Sequence, residues 1–218
     1  FYKWMANRYG IDDIASDDRV RVRAATTKHL KAALTSEQAK AVVDAIDKST
    51  PTGKRDYALL LLLFNTGMRS IEVTRAKVGD LQGEVLSVQG KGRAAKDDLV
   101  ILNPLVRKAL DDYLATRSRL TAESPLYASM SNRSNGKPLT TRSIQHIANT
   151  YFIRAGVKNP LVTPHSTRHT FATMALQNGA DVMQVKEALR HSSVQTTMRY
   201  THMLDRVENA AERYVAIG

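Results

Sequence analysis

Eight consecutive residues, Tyr57-Ala58-Leu59-Leu60-Leu61-Leu62-Leu63-Phe64, carry no charge, and this is the longest apolar run in the chain. It falls well short of the roughly 18 apolar residues that a bilayer span needs. It does not alternate, so it does not describe a strand with one wet face. Read from Thr52 and stopped at Asn65-Thr66-Gly67, it predicts a helix that is apolar on every side. Such a helix is stable only when other elements surround it. The fold therefore has to wrap further helices around a central one, and a content of 43% hydrophobic residues in 218 is enough to build that core.

The neighbouring sequence supplies the wrapping. Thr35-Ser36-Glu37-Gln38 reads as a capping box, with Thr35 as N-cap and Gln38 at N3, and Ala39, Val42, Val43 and Ile46 then recur at the helical period. A short helix starts near Arg69. The period then changes. Residues 84–88 and 98–102 read as strands, joined as a hairpin through the Gly- and Lys-rich stretch 90–96, and residues 78–81 offer a third strand. After Pro104 helical patterns return over 105–119, 140–155, 164–178, 181–189, 194–200 and 204–215. The expected class is mostly α with a small three-stranded antiparallel β-sheet. Residues 1–9 have helical character stopped by Gly10, and 11–31 read as a linker.

Charge narrows the partner. The chain has 32 Lys and Arg against 21 Asp and Glu, a formal +11, which favours a polyanion: DNA, RNA or an anionic membrane surface. Within the linker Arg19, Arg21, Arg23, Lys28 and Lys31 follow one another with no acid between them. That strap suits phosphate tracking, and it equally suits an ordinary charged linker. The absence of cysteine excludes disulfides, a thiol nucleophile and Cys-ligated metal sites, and it fits an intracellular protein.

Three clusters carry possible chemistry. Thr66-Gly67-Met68-Arg69-Ser70-Ile71-Glu72 puts an arginine at a helix start with a carboxylate three residues on, on the same face. The guanidinium suits a phosphate, with Glu72 orienting it or capping the helix; alone, the pair also reads as a surface ion pair. Pro164-His165-Ser166-Thr167-Arg168-His169 puts a histidine and an arginine on one face, which suits proton transfer beside a bound anion. His165 and His169 have metal-ligand spacing, but Ser166 stands where a zinc-protease helix has glutamate, so no metal is expected. The third, His191 to His202, combines a hydroxyl-rich turn with Tyr200, nine residues after His191. A lone tyrosine there is ordinarily a packing residue.

Taken in order, these clusters resemble the tyrosine site-specific recombinases, the family of phage and transposon integrases and Xer-type enzymes. T-G-M-R-S-I-E-V resembles the family's first arginine motif, G-K-G on the hairpin its lysine motif, H-S-T-R-H-T-F-A-T its H-x-x-R-H motif, and L-R-H-S-S-V-Q-T-T-M-R-Y-T-H its terminal His-to-Tyr stretch. The likeness runs from about Thr35 to the end. It departs at Arg190, where the family often has glycine, at Asp98, where it often has arginine, and in a hairpin about two residues longer than usual.

The resemblance implies the tyrosine-recombinase catalytic fold over residues 32–218, preceded over 1–31 by the end of an N-terminal DNA-binding domain and the basic linker. It implies a site-specific recombinase or integrase that cuts double-stranded DNA through a 3′-phosphotyrosyl intermediate, without metal, ATP or other cofactor. Tyr200 would attack the phosphodiester; Arg69 and Arg168 would clamp its oxygens; His191 would donate to one of them. Lys91 would protonate the leaving 5′-oxygen, and His165 would take the proton from Tyr200, with Glu72 in support. A phenol has an ordinary pKa of about 10, so surrounding positive charge would favour the reactive phenolate as well as the transition state. Arg93 and Lys96 share the hairpin with Lys91 and are candidate DNA contacts and rival acids. Tyr214 falls on an apolar stripe with Met203, Val207 and Ala210 and reads as packing; His169 and His202 read as supporting. Family members act as tetramers on two duplexes, and the terminal helix 204–215 is expected to dock on a neighbouring subunit or on its own domain. The expected place of action is the bacterial cytoplasm, at the nucleoid, with no membrane partner. The alternatives are a type IB topoisomerase-like relaxing activity, a non-catalytic DNA-binding protein and a metal-dependent phosphohydrolase.

Overall fold

The computed structural model describes residues 32–89, 95–132, 134–190 and Thr197. Among them the elements run α1 (Ser36–Asp44), α2 (Pro51–Thr66), α3 (Ser70–Arg75), a 3-10 turn (Val78–Asp80), β1 (Leu81–Gln82), β2 (Val85–Val88), β3 (Asp98–Ile101), α4 (Pro104–Leu114), α5 (Thr141–Arg154), α6 (Ser166–Gln177) and α7 (Val182–Leu189).

Helix α2 is the centre that its apolar run requires. Every residue from Ala58 to Phe64 is buried, and α1, α4 and α6 pack around it. Two charged residues are buried on the same helix. Arg55 donates to Asp56 Oδ1 from Nε and NH2, at 2.9 and 2.7 Å, and the Tyr151 hydroxyl of α5 donates to Asp56 Oδ2 at 3.1 Å. Burial raises the Asp56 carboxyl above its ordinary range, against the pull of Arg55. The periodicity gave no sign of this pair, because it reports where apolar side chains recur and not which charges find partners inside.

Short polar residues set the helix starts. The side chains of Thr35, Thr50, Asn103, Thr140 and Asp181 each accept a hydrogen bond from the main-chain N–H three residues on. Each such cap contributes about 1 kcal/mol. At Thr35 the expected capping box is complete, with the Gln38 side chain accepting from the Thr35 N–H at 3.0 Å.

The sheet is antiparallel in the order β1-β2-β3. Val85 pairs with Ile101, Leu86 with Val100, Ser87 with Leu99 and Val88 with Asp98. Leu86, Val88 and Val100 face the core. The third strand is shorter and later than expected: residues 78–80 form the 3-10 turn, and only Leu81 and Gln82 pair with β2. Asp80 accounts for the turn by accepting from the Lys77 N–H at 2.7 Å, which closes the chain too tightly for a strand. Helix α4 ends at Leu114 rather than near Arg119, which lies in the left-handed region.

Candidate active site

Three helices meet at Gly67. It ends α2 with φ 60° and ψ 22°, a conformation that costs glycine little. A Cβ there would lie 2.6 Å from Leu189 Cδ2 of α7 and 2.8 Å from Phe171 Cδ1 of α6. The bare backbone lets α6 and α7 close on the end of α2, and the Gly67 carbonyl accepts from Arg168 NH1 at 2.5 Å. Arg168 NH2 donates to the Leu189 carbonyl. One guanidinium, 2% exposed, thus ties the ends of α2 and α7 to α6. Thr170 holds the same helix to the start of the domain, accepting from the Leu34 N–H at 2.9 Å.

Arg69 follows two residues later as the N-cap of α3. Its partner Glu72 is fully buried, which replaces the surface-pair reading with an enclosed one. Glu72 Oε2 accepts from the Arg69 N–H at 2.8 Å, and Oε1 accepts from Arg69 NH1 at 2.9 Å. Orienting the guanidinium and capping the helix are therefore one arrangement. A third donor, Arg190 NH2, reaches Oε2 at 2.8 Å from the C-cap of α7. Burial alone would push the Glu72 carboxyl up, but the Arg190 charge, the Arg69 N–H and both guanidinium bonds outweigh it and leave it below the ordinary carboxylate value. Arg190 was not among the site residues expected from the sequence. Its only signal was its place next to His191, as a cation where the resembled family often has glycine.

His165 is the N-cap of α6, with its ring edge-on to His169 at 4.9 Å between centroids. His165, Arg168 and Arg69 line one cavity of about 590 Å³, together with Ser70, Gln145, Asn149 and Thr163. Two arginines and an imidazole on one polar cavity suit an anion at which a proton has to move.

The other expected residues divide as follows. Lys96 engages Asp80 in an ion pair at the foot of the hairpin, with its side chain 28% exposed. Lys91 and Arg93 of the hairpin, His191 and Tyr200, and the linker residues Arg19, Arg21, Arg23, Lys28 and Lys31 lie outside the described residues, as do the expected helix 204–215 and most of 194–200. Thr197, between His191 and Tyr200, is helical and buried. No helix among the described residues is long and apolar enough to cross a membrane.

Comparison with known proteins points one way. The model of the phage integrase family matches residues 32–206. The tyrosine recombinase XerC of Myxococcus xanthus is 35% identical over 208 residues, 93% of this chain and 68% of that protein. The XerC of Chlamydia trachomatis (serovar L2) is 36% identical over 179 residues, 81% of this chain and 55% of that protein. Among solved structures, the XerA recombinase superposes with a TM-score of 0.68 at 32% identity, over 85% of this chain and 66% of that one. The XerH site-specific recombinase bound to palindromic difH substrate, a post-cleavage complex, gives 0.69 at 26% identity over 84% and 54%. With the arginine, histidine and glutamate cluster built on the same helical frame, the chain belongs to the phage integrase family and carries a tyrosine recombinase catalytic domain.

Proposed function

We propose that the protein cleaves and rejoins double-stranded DNA at specific sites through a tyrosine-linked intermediate. The observation that carries this reading is the convergence of Arg69, His165 and Arg168 on one cavity, with Arg69 held by a buried carboxylate. The Tyr200 oxygen attacks the scissile phosphorus and its proton passes to His165. The bond from phosphorus to the 5′-oxygen breaks, and Lys91 supplies that oxygen with a proton. The 5′-hydroxyl of a second strand then reverses these transfers and releases Tyr200. Arg69, Arg168 and His191 neutralise the non-bridging oxygens, where negative charge accumulates in the transition state. Lys91 is preferred as the acid over Lys96 and Arg93 on its place in the hairpin motif, and the ion pair of Lys96 with Asp80 supports a role for Lys96 in anchoring the hairpin foot.

Residues 1–31 act as the end of a second DNA-binding domain and its basic linker, and 32–218 as the catalytic domain. Arg19, Arg21, Arg23, Lys28, Lys31 and Arg93 contact phosphates. Four copies act on two duplexes, each lending helix 204–215 to a neighbour, in the cytoplasm at the nucleoid. The related XerH is bound to its difH substrate, which supports a DNA partner here.

The test uses duplexes drawn from the DNA flanking the gene, nicked so that the cleaved fragment diffuses away. A protein–DNA band on a denaturing gel without metal or nucleotide is expected, and two intact duplexes should yield a Holliday junction. Relaxed circles without junctions would favour a topoisomerase, and a requirement for divalent metal would favour a hydrolase.

A further inference from the structure

Arg190 holds a backbone conformation that arginine seldom adopts, with φ 53° and ψ 47° at the end of α7. Its Nε is buried without a hydrogen-bond partner among the described residues. Both features are unfavourable, and a glycine would avoid both. What the arginine gains is the 2.8 Å bond to Glu72, together with a 2.7 Å bond from NH1 to the Ala188 carbonyl.

The electrostatic consequence is specific. With Arg69 as its one partner, a fully buried Glu72 would cancel the charge that Arg69 brings to the cavity. With two guanidiniums on one carboxylate, the group Arg69–Glu72–Arg190 carries a net single positive charge. Glu72 stays fixed as an orienting acceptor while Arg69 keeps its charge for an anion. Arg190 also fastens α7, at the residue directly before His191, to the start of α3.

We infer that Arg190 is a positioning residue for strand cleavage: through Glu72 it orients Arg69 and restores the positive charge that the buried carboxylate would otherwise remove from the phosphate site. This rests on the recombinase reading above. Without Arg190 the Glu72 charge opposes the developing phosphorane. The penalty should scale with the negative charge on the reacting group, because Coulomb energy is linear in that charge. A purely structural role would penalise all substrates alike.

The experiment measures the second-order rate constant for adduct formation, with the full-length protein far below saturation, on a nicked duplex that the parent cleaves, made with a scissile phosphodiester or with a methylphosphonate, which carries one negative charge fewer in the ground state and in the transition state. Arg190→Gly should lower this constant about ten-fold for the phosphodiester, whose transition state carries two negative charges, but only about three-fold for the methylphosphonate, whose transition state carries one, with affinity for the phosphodiester duplex reduced by no more than about three-fold. Arg190→Gln, uncharged but still able to donate, should show the same contrast, and it carries the test should the glycine variant lose its melting transition. Equal losses on both substrates, or none on the phosphodiester, would overturn the inference and leave the recombinase reading standing. No adduct from the parent on any flanking duplex would remove that reading, and this inference with it.

Discussion

A carboxylate with no exposed surface stays ionised only where donors replace water. Glu72 has three of them, two from Arg69 and one from Arg190. Its folded pKa lies below the ordinary value, so its stabilising contribution is complete above the unfolded pKa and is lost as pH falls through the folded one. Glu72→Gln should therefore cost about 3 kcal/mol near neutrality, and the gap to the parent should narrow below about pH 4. Urea denaturation between pH 3 and 7 reads this directly, and a pH-independent gap would contradict it. Leaving-group chemistry separates Lys91 from its neighbours. Lys91→Ala should cleave ordinary DNA slowly and be rescued by a bridging 5′-phosphorothiolate, whose sulfur needs no acid; Arg168→Ala should not be rescued. Rescue of Lys96→Ala instead would move the acid to Lys96 and count against the Asp80 pairing as its role. At this scale the sequence was legible wherever motif spacing alone puts groups on one face, as with Arg69 and Glu72 or His165 and Arg168. Arg190 was not legible as a site residue. Its partner lies 118 positions away, and only the closure of α7 on α3 brings the two together.

Helix α2 was readable before the structure because eight uncharged residues leave no wet face, and the start of α1 was readable because Thr35 and Gln38 satisfy the first N–H groups locally. The third strand was misplaced because Asp80 captures the Lys77 N–H, a side-chain competition to which an apolar period is blind. Burial of Arg55 and Asp56 was invisible for a similar reason: their third partner, Tyr151, comes from a distant helix. Gly67 is where elements and site join. Gly67→Ala puts a methyl against Leu189 and Phe171 at a left-handed position, so it should cost about 2 kcal/mol and weaken cleavage more than DNA binding. An unchanged thermal midpoint would show that α6 and α7 do not close on α2 as described.

For the molecule as a whole, the formal +11 makes affinity a matter of counterions. Replacing Arg19, Arg21 and Arg23 together by alanine should flatten the slope of log affinity against log salt by about two to three. An unchanged slope would return 11–31 to the status of a plain charged linker. Binding and chemistry then separate cleanly. Tyr200→Phe removes one oxygen and keeps the ring, so folding and DNA affinity should survive while strand exchange is lost. The most direct measurement is the denaturing gel of the full-length protein on a nicked suicide duplex that the parent cleaves. A DNA-linked band is expected for the parent and for Tyr214→Phe, and none for Tyr200→Phe; a persisting band from Tyr200→Phe would assign the attack to another residue.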